Sequence, residues 1–230
     1  MCPKFLSIFL LLTSVLVGCN LASPTMAPAT IPITASTLEF VKPTLTQAIS
    51  PTPPIIIITT TPPSTQQAVL DRAAQVIAAL KDKDMTALSG FIHPQLGLRF
   101  SPYAFVRDTD QVFTVDKIAG LLADNTVYTW GDYSGSGAPI NLTFTDYYSE
   151  FVYDVDFANA PEMSLNHHLG VSTSMDNIFV FYQSSMFVEF YFPGFDPQFE
   201  GMDWRSLRLV FMKDNNTWCL VGIIHDQWTT

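Results

Sequence analysis

The sequence predicts an α+β fold in which helices come first and the strands of an antiparallel sheet come later. From residue 64 onward, apolar residues recur at helical spacing. The last third of the chain instead holds runs rich in aromatic and β-branched residues, which favour strands. Helices followed by consecutive strands are typical of a domain whose helices pack on one face of an antiparallel sheet.

The first predicted helix begins at Ser64, which stands three residues before Gln67, the spacing of a capping box. The residues that follow place one apolar stripe along the helix. The stripe consists of Val69, Ala73, Val76, Ile77 and Leu80.

Three shorter helices are predicted after it. The second ends before His93, because the following Pro94 disfavours helical backbone at the residue that precedes it. The third covers residues 115–122, with Thr114 as its cap, and the fourth covers residues 145–153.

Four strands are predicted in the C-terminal part. Residues 179–182 and 186–192 are aromatic and β-branched, as strands are. Residues 205–213 and 217–228 are separated by the turn signal at 214–216, so we expect them to form an antiparallel hairpin.

The N-terminus has the pattern of a bacterial lipoprotein. Lys4 precedes an apolar run at residues 5–17, which suits a signal peptide and is shorter than the about 20 residues of a transmembrane helix. The run closes on Leu-Val-Gly and Cys19, a lipobox. We therefore expect a signal peptide at residues 1–18 and lipidation of Cys19, which would anchor the protein to the cell membrane on its extracytoplasmic side. The alternative is an ordinary signal peptide in which Cys19 is incidental.

Residues 19–63 are predicted to form a disordered linker. They hold nine of the 16 prolines, and their only charged residues are Glu39 and Lys42. Such a composition buries too little apolar surface to offset the entropy of ordering. The four isoleucines between Ile55 and Ile58 are either an added edge strand or an apolar part of this tether.

Residues 64–230 have the length of a single domain. They contain 20 of the 21 acidic residues and nine of the 11 basic ones, a net charge of −11. This charge argues against nucleic acid and anionic lipid head groups as partners. Cys2 leaves with the signal peptide and Cys19 takes lipid, so Cys219 has no partner for a disulfide within the mature chain.

Three segments of this domain resemble a group of uncharacterised bacterial lipoproteins: residues 93–103, 195–208 and 223–228. The order of elements, with Leu-Lys-Asp-Lys-Asp at residues 80–84 near a helix junction, is similar to the NTF2-like (SnoaL-like) α+β cone. The resemblance implies a cone of helices and curved strands. Because that cone hosts enzymes, transport factors and binding modules, the resemblance does not choose a function.

Glu189 and Arg208 are the first candidates for chemistry. Glu189 stands in an apolar strand, and if it is buried in a pocket, desolvation makes it a candidate general acid or base. Arg208, on the next strand, is a candidate ligand-binding partner. The alternative is a cross-strand ion pair between these two residues.

His225 and Asp226 are further catalytic candidates on the last strand. Because neighbours in a strand point to opposite faces, the two cannot form a catalytic dyad. The alternative is a structural hydrogen-bonding role for both. Strand alternation assigns the neighbouring apolar residues to two faces: Cys219, Val221 and Ile223 with His225, and Leu220 and Ile224 with Asp226.

His93, Arg99 and Tyr103 lie in a proline-containing loop and are candidate ligand-binding residues. Alternatively, the imidazole of His93 caps a helix carbonyl. Aromatic residues further along the chain, beside a Gly-Ser-Gly turn, form either a platform for a sugar or peptide or part of the core. These residues are Tyr128, Trp130, Tyr133, Tyr147, Tyr148 and Tyr153.

No metal or cofactor is expected. His167 and His168 lack Cys or carboxylate partners at ligand spacing. Asp154 and Asp156 begin a calcium-like stretch that lacks the glycine and glutamate of an EF-hand loop.

The sequence therefore predicts a lipid-anchored domain that binds a small ligand, a glycan or a protein of the cell envelope. The rival hypothesis is a SnoaL-like hydrolase or isomerase that uses Glu189 or Asp226 as a pocket carboxylate.

Overall fold

The computed structural model describes residues 64–170 and 175–229. The predicted signal peptide, Cys19, the proline-rich linker and its four isoleucines lie outside these residues. Within the described part of the chain, no helix has both the length and the apolar character that a membrane-spanning helix needs.

The first helix, α1, covers Thr65–Lys81 and confirms the prediction. Ser64 is its N-cap, and its hydroxyl accepts a hydrogen bond from the backbone N–H of Gln67 at 3.2 Å. This bond satisfies one of the amides that the first helical turn leaves without a partner. The predicted apolar stripe is buried.

The second helix, α2, covers Met85–Ser89 and ends earlier than predicted. The residues after it pair with the last strand instead. Leu220 donates its N–H to the carbonyl of Phe91 at 2.7 Å and accepts the N–H of His93 at 3.0 Å. These long-range bonds replace the helical ones, which is why the local pattern placed the boundary too late.

The next two helices are present but short. Helix α3 covers Val115–Ile118, and Thr114 precedes it without the predicted side-chain cap. Helix α4 covers Phe144–Tyr147 and continues as a π-helical turn at Tyr148–Val152. The predicted helix over 145–153 is thus split between two helical geometries.

Residues 179–182 were predicted to be a strand, and this is wrong. Helix α5 covers Ile178–Phe181. Asp176 accepts the N–H of Ile178 at 3.0 Å, and the carbonyl of Asn177 accepts the N–H of Phe181 at 2.8 Å. A short apolar run does not distinguish a strand from a buried helix by its periodicity.

A curved six-stranded sheet, mostly antiparallel, carries the fold. The strands are β1 (Leu98–Ser101), β2 (Val112–Phe113), β3 (Tyr128–Asp132), β4 (Pro139–Leu142), β5 (Glu162–Leu165), β6 (Met186–Phe192), β7 (Arg205–Asp214) and β8 (Thr217–Gln227). The sheet has the order β2-β1-β8-β7-β6-β5, and a separate hairpin pairs β3 with β4. Three of the four predicted strands, at 186–192, 205–213 and 217–228, correspond to β6, β7 and β8. The parallel pairing of β1 with β8 was not predicted.

The two faces of the sheet carry separate apolar clusters. The larger cluster joins α1, α2, α3 and α4 to one face. The smaller one lies on the other face, where α5 packs. The smaller cluster contains Val106, Ile178, Tyr182, Phe187, Val210, Val221 and Ile224.

A β-bulge in β8 decides which residues belong to each face. Val210 of β7 pairs with Gly222, but Phe211 pairs with Leu220, so β8 carries Val221 as an extra residue. The side chains of β8 that precede Gly222 therefore point to the opposite face from the one that regular alternation predicts.

The bulge overturns part of the predicted assignment. Leu220 lies in the larger cluster, on the face of His225, and Val221 lies in the smaller one. Cys219 is paired with Met212, which packs against the smaller cluster. The predicted sides of Cys219, Leu220 and Val221 are thus wrong, because the prediction assumed a regular strand.

Candidate functional site

Glu189 and Arg208 are cross-strand neighbours on β6 and β7, and both are fully buried. The Arg208 Nη2 atom lies 3.2 Å from Glu189 Oε1. Leu169 donates its N–H to Glu189 Oε2 at 2.7 Å, and the Ser206 hydroxyl also donates to this carboxylate. Both oxygens of Glu189 are thus engaged, and the geometry matches the ion-pair alternative.

Asp226 completes this buried cluster. Its Oδ2 atom accepts from Arg208 Nη2 at 3.0 Å, and the same nitrogen donates to the carbonyl of Gly170 at 3.0 Å. Burial raises the pKa of Asp226, and the nearby Arg208 offsets this only in part. Arg208 therefore joins two strands to the segment around Gly170.

His225 lies on the opposite face from Asp226, as predicted. Its ring meets Phe151 edge-on at 5.7 Å, and its Nε2 atom lies 3.4 Å from Asp154 Oδ1. The other oxygen of Asp154 accepts from Arg205 Nε at 2.9 Å. Burial opposes the charge on Asp154, but His225 and Arg205 outweigh it and lower the pKa of this carboxyl.

The three candidates of the predicted loop separate from one another, and the loop prediction is wrong for Arg99, which lies in β1 and pairs with β2 and β8. His93 Nδ1 accepts the N–H groups of Gln95 and Leu96, both at 3.3 Å, so it caps amides of a turn and not a helix carbonyl. Arg99 donates to three backbone carbonyls of the following loop: those of Arg107, Asp108 and Asp110.

Tyr103, the third candidate, lines a surface pocket of about 330 Å³. The pocket lies between the loop after β1 and the β3–β4 turn. We call it the aromatic groove. The lining residues used below are Tyr103, Phe105, Arg107, Asp132, Tyr133 and Ser134.

Buried polar contacts hold the loop side of the aromatic groove. Asp110 accepts the hydroxyl of Ser101 at 2.5 Å and the N–H of Arg107 at 2.9 Å. Asn177 bonds both the N–H and the carbonyl of Val106, at 2.8 and 2.9 Å. Burial raises the pKa of Asp110 despite these bonds. The loop is thus tied to both β1 and α5.

The π-helical turn supports the two tyrosines from below. The rings of Tyr103 and Tyr133 pack on Phe151, with centroids 5.8 and 6.2 Å away. Ser134 donates its N–H to the Tyr103 hydroxyl at 3.2 Å, which fixes the ring against the hairpin. π-helical turns occur frequently at functional sites.

The open side of the aromatic groove offers both apolar and polar contacts. Phe105 is 43% exposed, and Tyr103 and Tyr133 are partly exposed. Arg107 Nη1 lies 3.6 Å from Asp132 Oδ2, and both side chains are near half exposed. The groove therefore presents ring surfaces beside a balanced pair of hydrogen-bond donors and acceptors.

The six aromatic residues of the predicted platform do not form one surface. Trp130 and Tyr147 stack at 3.8 Å inside the core, and Tyr148 is also buried. Of the predicted set, Tyr133 reaches the aromatic groove. Phe105 and Arg107 were not singled out from the sequence, because their neighbours form no recognisable motif.

No cluster of three or more His, Cys, Asp or Glu side chains suited to a metal ion occurs among the described residues. Asp154 bonds Arg205, whereas Asp156 bonds Lys81 at 3.1 Å, so the two carboxylates do not converge. His168 stacks on Phe187 at 4.7 Å, and His167 is exposed.

Comparisons with known proteins add little to this picture. No family model matches the chain, and no curated protein matches it. Among solved structures, the chain is similar to a DUF4783 family protein from Bacteroides ovatus ATCC 8483, with 14% identity, coverage of 67% of this chain and 93% of that one, and a TM-score of 0.25. It is also similar to an NTF2-like designed protein, with 11% identity, coverage of 70% and 96%, and a TM-score of 0.28. Scores this low support no argument about sites.

Proposed function

We propose that this protein is a bacterial lipoprotein, anchored through Cys19 on the extracytoplasmic side of the membrane, whose NTF2-like domain binds a glycan of the cell envelope. The observation that carries the proposal is the aromatic groove. Tyr103, Phe105 and Tyr133 expose ring surface beside the Arg107–Asp132 pair.

A sugar fits this combination of groups. The C–H faces of a pyranose pack on aromatic rings, and its hydroxyls both donate and accept hydrogen bonds. Tyr supplies an apolar ring with a polar end, and Arg and Asp supply a donor and an acceptor. Because Arg107 and Asp132 balance each other, the groove favours a neutral polar ligand over an ionic one.

The two carboxylates that the enzymatic alternative requires, Glu189 and Asp226, bind other protein groups and not a pocket. Glu189 is held by backbone amides, Ser206 and Arg208, and Asp226 is held by Arg208. Neither residue is among those that line the aromatic groove. The proposal is therefore one of binding without catalysis.

Titration calorimetry on the full-length protein in detergent tests the proposal with glucose, N-acetylglucosamine and mannose. We expect at least one of them to bind and Tyr133→Ala to weaken that binding about tenfold, a loss of about 1.4 kcal/mol. Phe179→Ala is the matched control, because Phe179 is an exposed aromatic on α5 that does not line the groove. Binding that survives Tyr133→Ala, or no binding of any sugar, contradicts the proposal.

A further inference from the structure

A second and larger pocket opens beside the aromatic groove, with a volume of about 480 Å³. It lies between the end of the π-helical turn, the loop before β7 and the end of β8. We call it the Asp154 pocket. Its lining residues are Ser149, Glu150, Asp154, Val155, Phe195, Arg205 and Gln227.

The two pockets meet at one hydrogen bond. Tyr133 lines the aromatic groove and Glu150 lines the Asp154 pocket, and the Tyr133 hydroxyl donates to Glu150 Oε2 at 3.3 Å. Glu150 and Phe151 are neighbours in the π-helical turn, and the ring of Phe151 contacts both Tyr133 and His225. The π-helical turn is thus the shared floor between the pockets.

Phe195 gives the Asp154 pocket an aromatic surface of its own. One face of its ring stacks on Phe192, with centroids 5.3 Å apart and planes at 23°. The side chain is nevertheless 52% exposed, so ring surface stays open to a ligand.

The loop that carries Phe195 is held by its own hydrogen bonds. Asp203 Oδ2 accepts the N–H groups of Phe195 and Asp196, at 3.0 and 2.8 Å. The position of the ring is therefore set before any ligand arrives.

Asp154 gives the pocket an acceptor with spare capacity. Its Oδ2 atom bonds Arg205, but its Oδ1 atom is buried and has no hydrogen-bond partner among residues 64–170 and 175–229. Behind it, His225 Nε2 lies 3.4 Å from Oδ1 and helps to lower the pKa of Asp154, which keeps the carboxylate charged. A charged carboxylate has about four acceptor positions, and 14% of this side chain is exposed, so it can accept a hydroxyl donated from the pocket.

We infer that the Asp154 pocket is a second sugar subsite and that the ligand is a linear oligosaccharide whose units occupy both pockets and cross over the Tyr133–Glu150 contact. This inference rests on the proposed function. One unit packs on the rings of the aromatic groove. The next packs on Phe195, donates a hydroxyl to Asp154 and accepts from Arg205 or Gln227.

The two pockets act on one ligand because they are contiguous. Once the first unit is bound, the second meets its subsite at a high effective concentration, and the affinity rises without any change in the first site. A single sugar gains none of this, which distinguishes one extended site from two independent ones.

The experiment compares a monosaccharide with its own tetrasaccharide on the full-length protein in detergent: glucose with cellotetraose, N-acetylglucosamine with chitotetraose and mannose with mannotetraose. We expect one tetrasaccharide to bind at least tenfold more tightly than its monosaccharide. Phe195→Ala and Asp154→Asn should each remove most of that gain and leave monosaccharide affinity unchanged.

Phe199→Ala is the matched control, because Phe199 is an exposed aromatic of the same loop that does not line the pocket. Phe195→Ala changes an exposed side chain, so it keeps the test valid if Asp154→Asn impairs folding. Equal affinity for both sugar lengths, or an equal loss for both in Phe195→Ala, overturns the second subsite while the proposed function stands. Failure of every sugar to bind overturns both.

Discussion

Arg208 shows what a single buried charge requires of its surroundings. Its guanidinium contacts Glu189 on β6 and Asp226 on β8, and it donates to the carbonyl of Gly170. Taking ions out of water costs several kcal/mol each, so such a group is tolerated only when its partners are complete. A Cβ on Gly170 would lie 2.5 Å from the ring of Trp204, which is why glycine alone fits at this contact.

Glu189→Gln tests the structural role of this cluster. An amide nitrogen cannot accept the hydrogen bonds that reach both carboxylate oxygens, so a buried donor loses its partner. We expect the free energy of unfolding to fall by about 2 to 3 kcal/mol in urea denaturation. Glu162→Gln, at an exposed position of β5, should change it by less than about 0.5 kcal/mol. A gain in stability would instead mark Glu189 as a strained carboxylate of the kind the enzymatic hypothesis requires.

At the level of elements, the β7–β8 hairpin organises the sheet. Its two-residue turn joins the two longest strands, and Asn215 in that turn has a φ of 53°. Asn tolerates this left-handed conformation, but a β-branched residue does not. The bulge at Val221 then shifts the alternation of β8, so the turn and the bulge together set the face of every side chain in this strand.

Asn215→Val should therefore lower the free energy of unfolding by about 1 to 2 kcal/mol, the cost of a left-handed residue with a Cβ branch. Thermal unfolding followed by circular dichroism measures the change. Asn216→Val is the matched control, because Asn216 is equally exposed and does not have a positive φ. If both variants lose the same stability, turn conformation is not the cause.

At the scale of the whole described domain, the two faces of the sheet bury different kinds of side chain. The face covered by α1 to α4 forms the main core, and the opposite face, on which α5 packs, holds the Arg208 cluster. The aromatic groove and the Asp154 pocket lie where loops meet at the edge of these layers, as binding sites on rigid scaffolds commonly do. The net charge of −11 on residues 64–230 keeps this surface unsuited to polyanions.

Cys19→Ser tests where this molecule is held. We expect the variant to move from the membrane fraction to the soluble fraction of a bacterial host, because a diacylglycerol with two chains is the proposed anchor. Cys2→Ser is the matched control and should stay with the membrane, since Cys2 lies within the predicted signal peptide. Membrane retention of Cys19→Ser would contradict lipid anchoring.

Local patterns in the sequence were sufficient to predict the longest helix and the two longest strands among the described residues. The capping pair Ser64 and Gln67 placed the start of α1, and period-two alternation placed β7 and β8 with their turn. The opposite faces of His225 and Asp226 followed from alternation as well. In each case the deciding interactions lie within a few residues or across one tight turn.

The rest depended on contacts between distant residues. The parallel pairing of β1 with β8 and the early end of α2 arise from bonds to Leu220 and its neighbours, which no local pattern encodes. The groove joins Tyr103 to Tyr133, and the pocket joins Asp154 to Phe195 and Arg205. The sequence by itself determined an acidic α+β domain, and it predicts an N-terminal lipobox. Only the tertiary structure decided which side chains meet, because their positions depend on strand pairing, the bulge in β8 and the burial of charge.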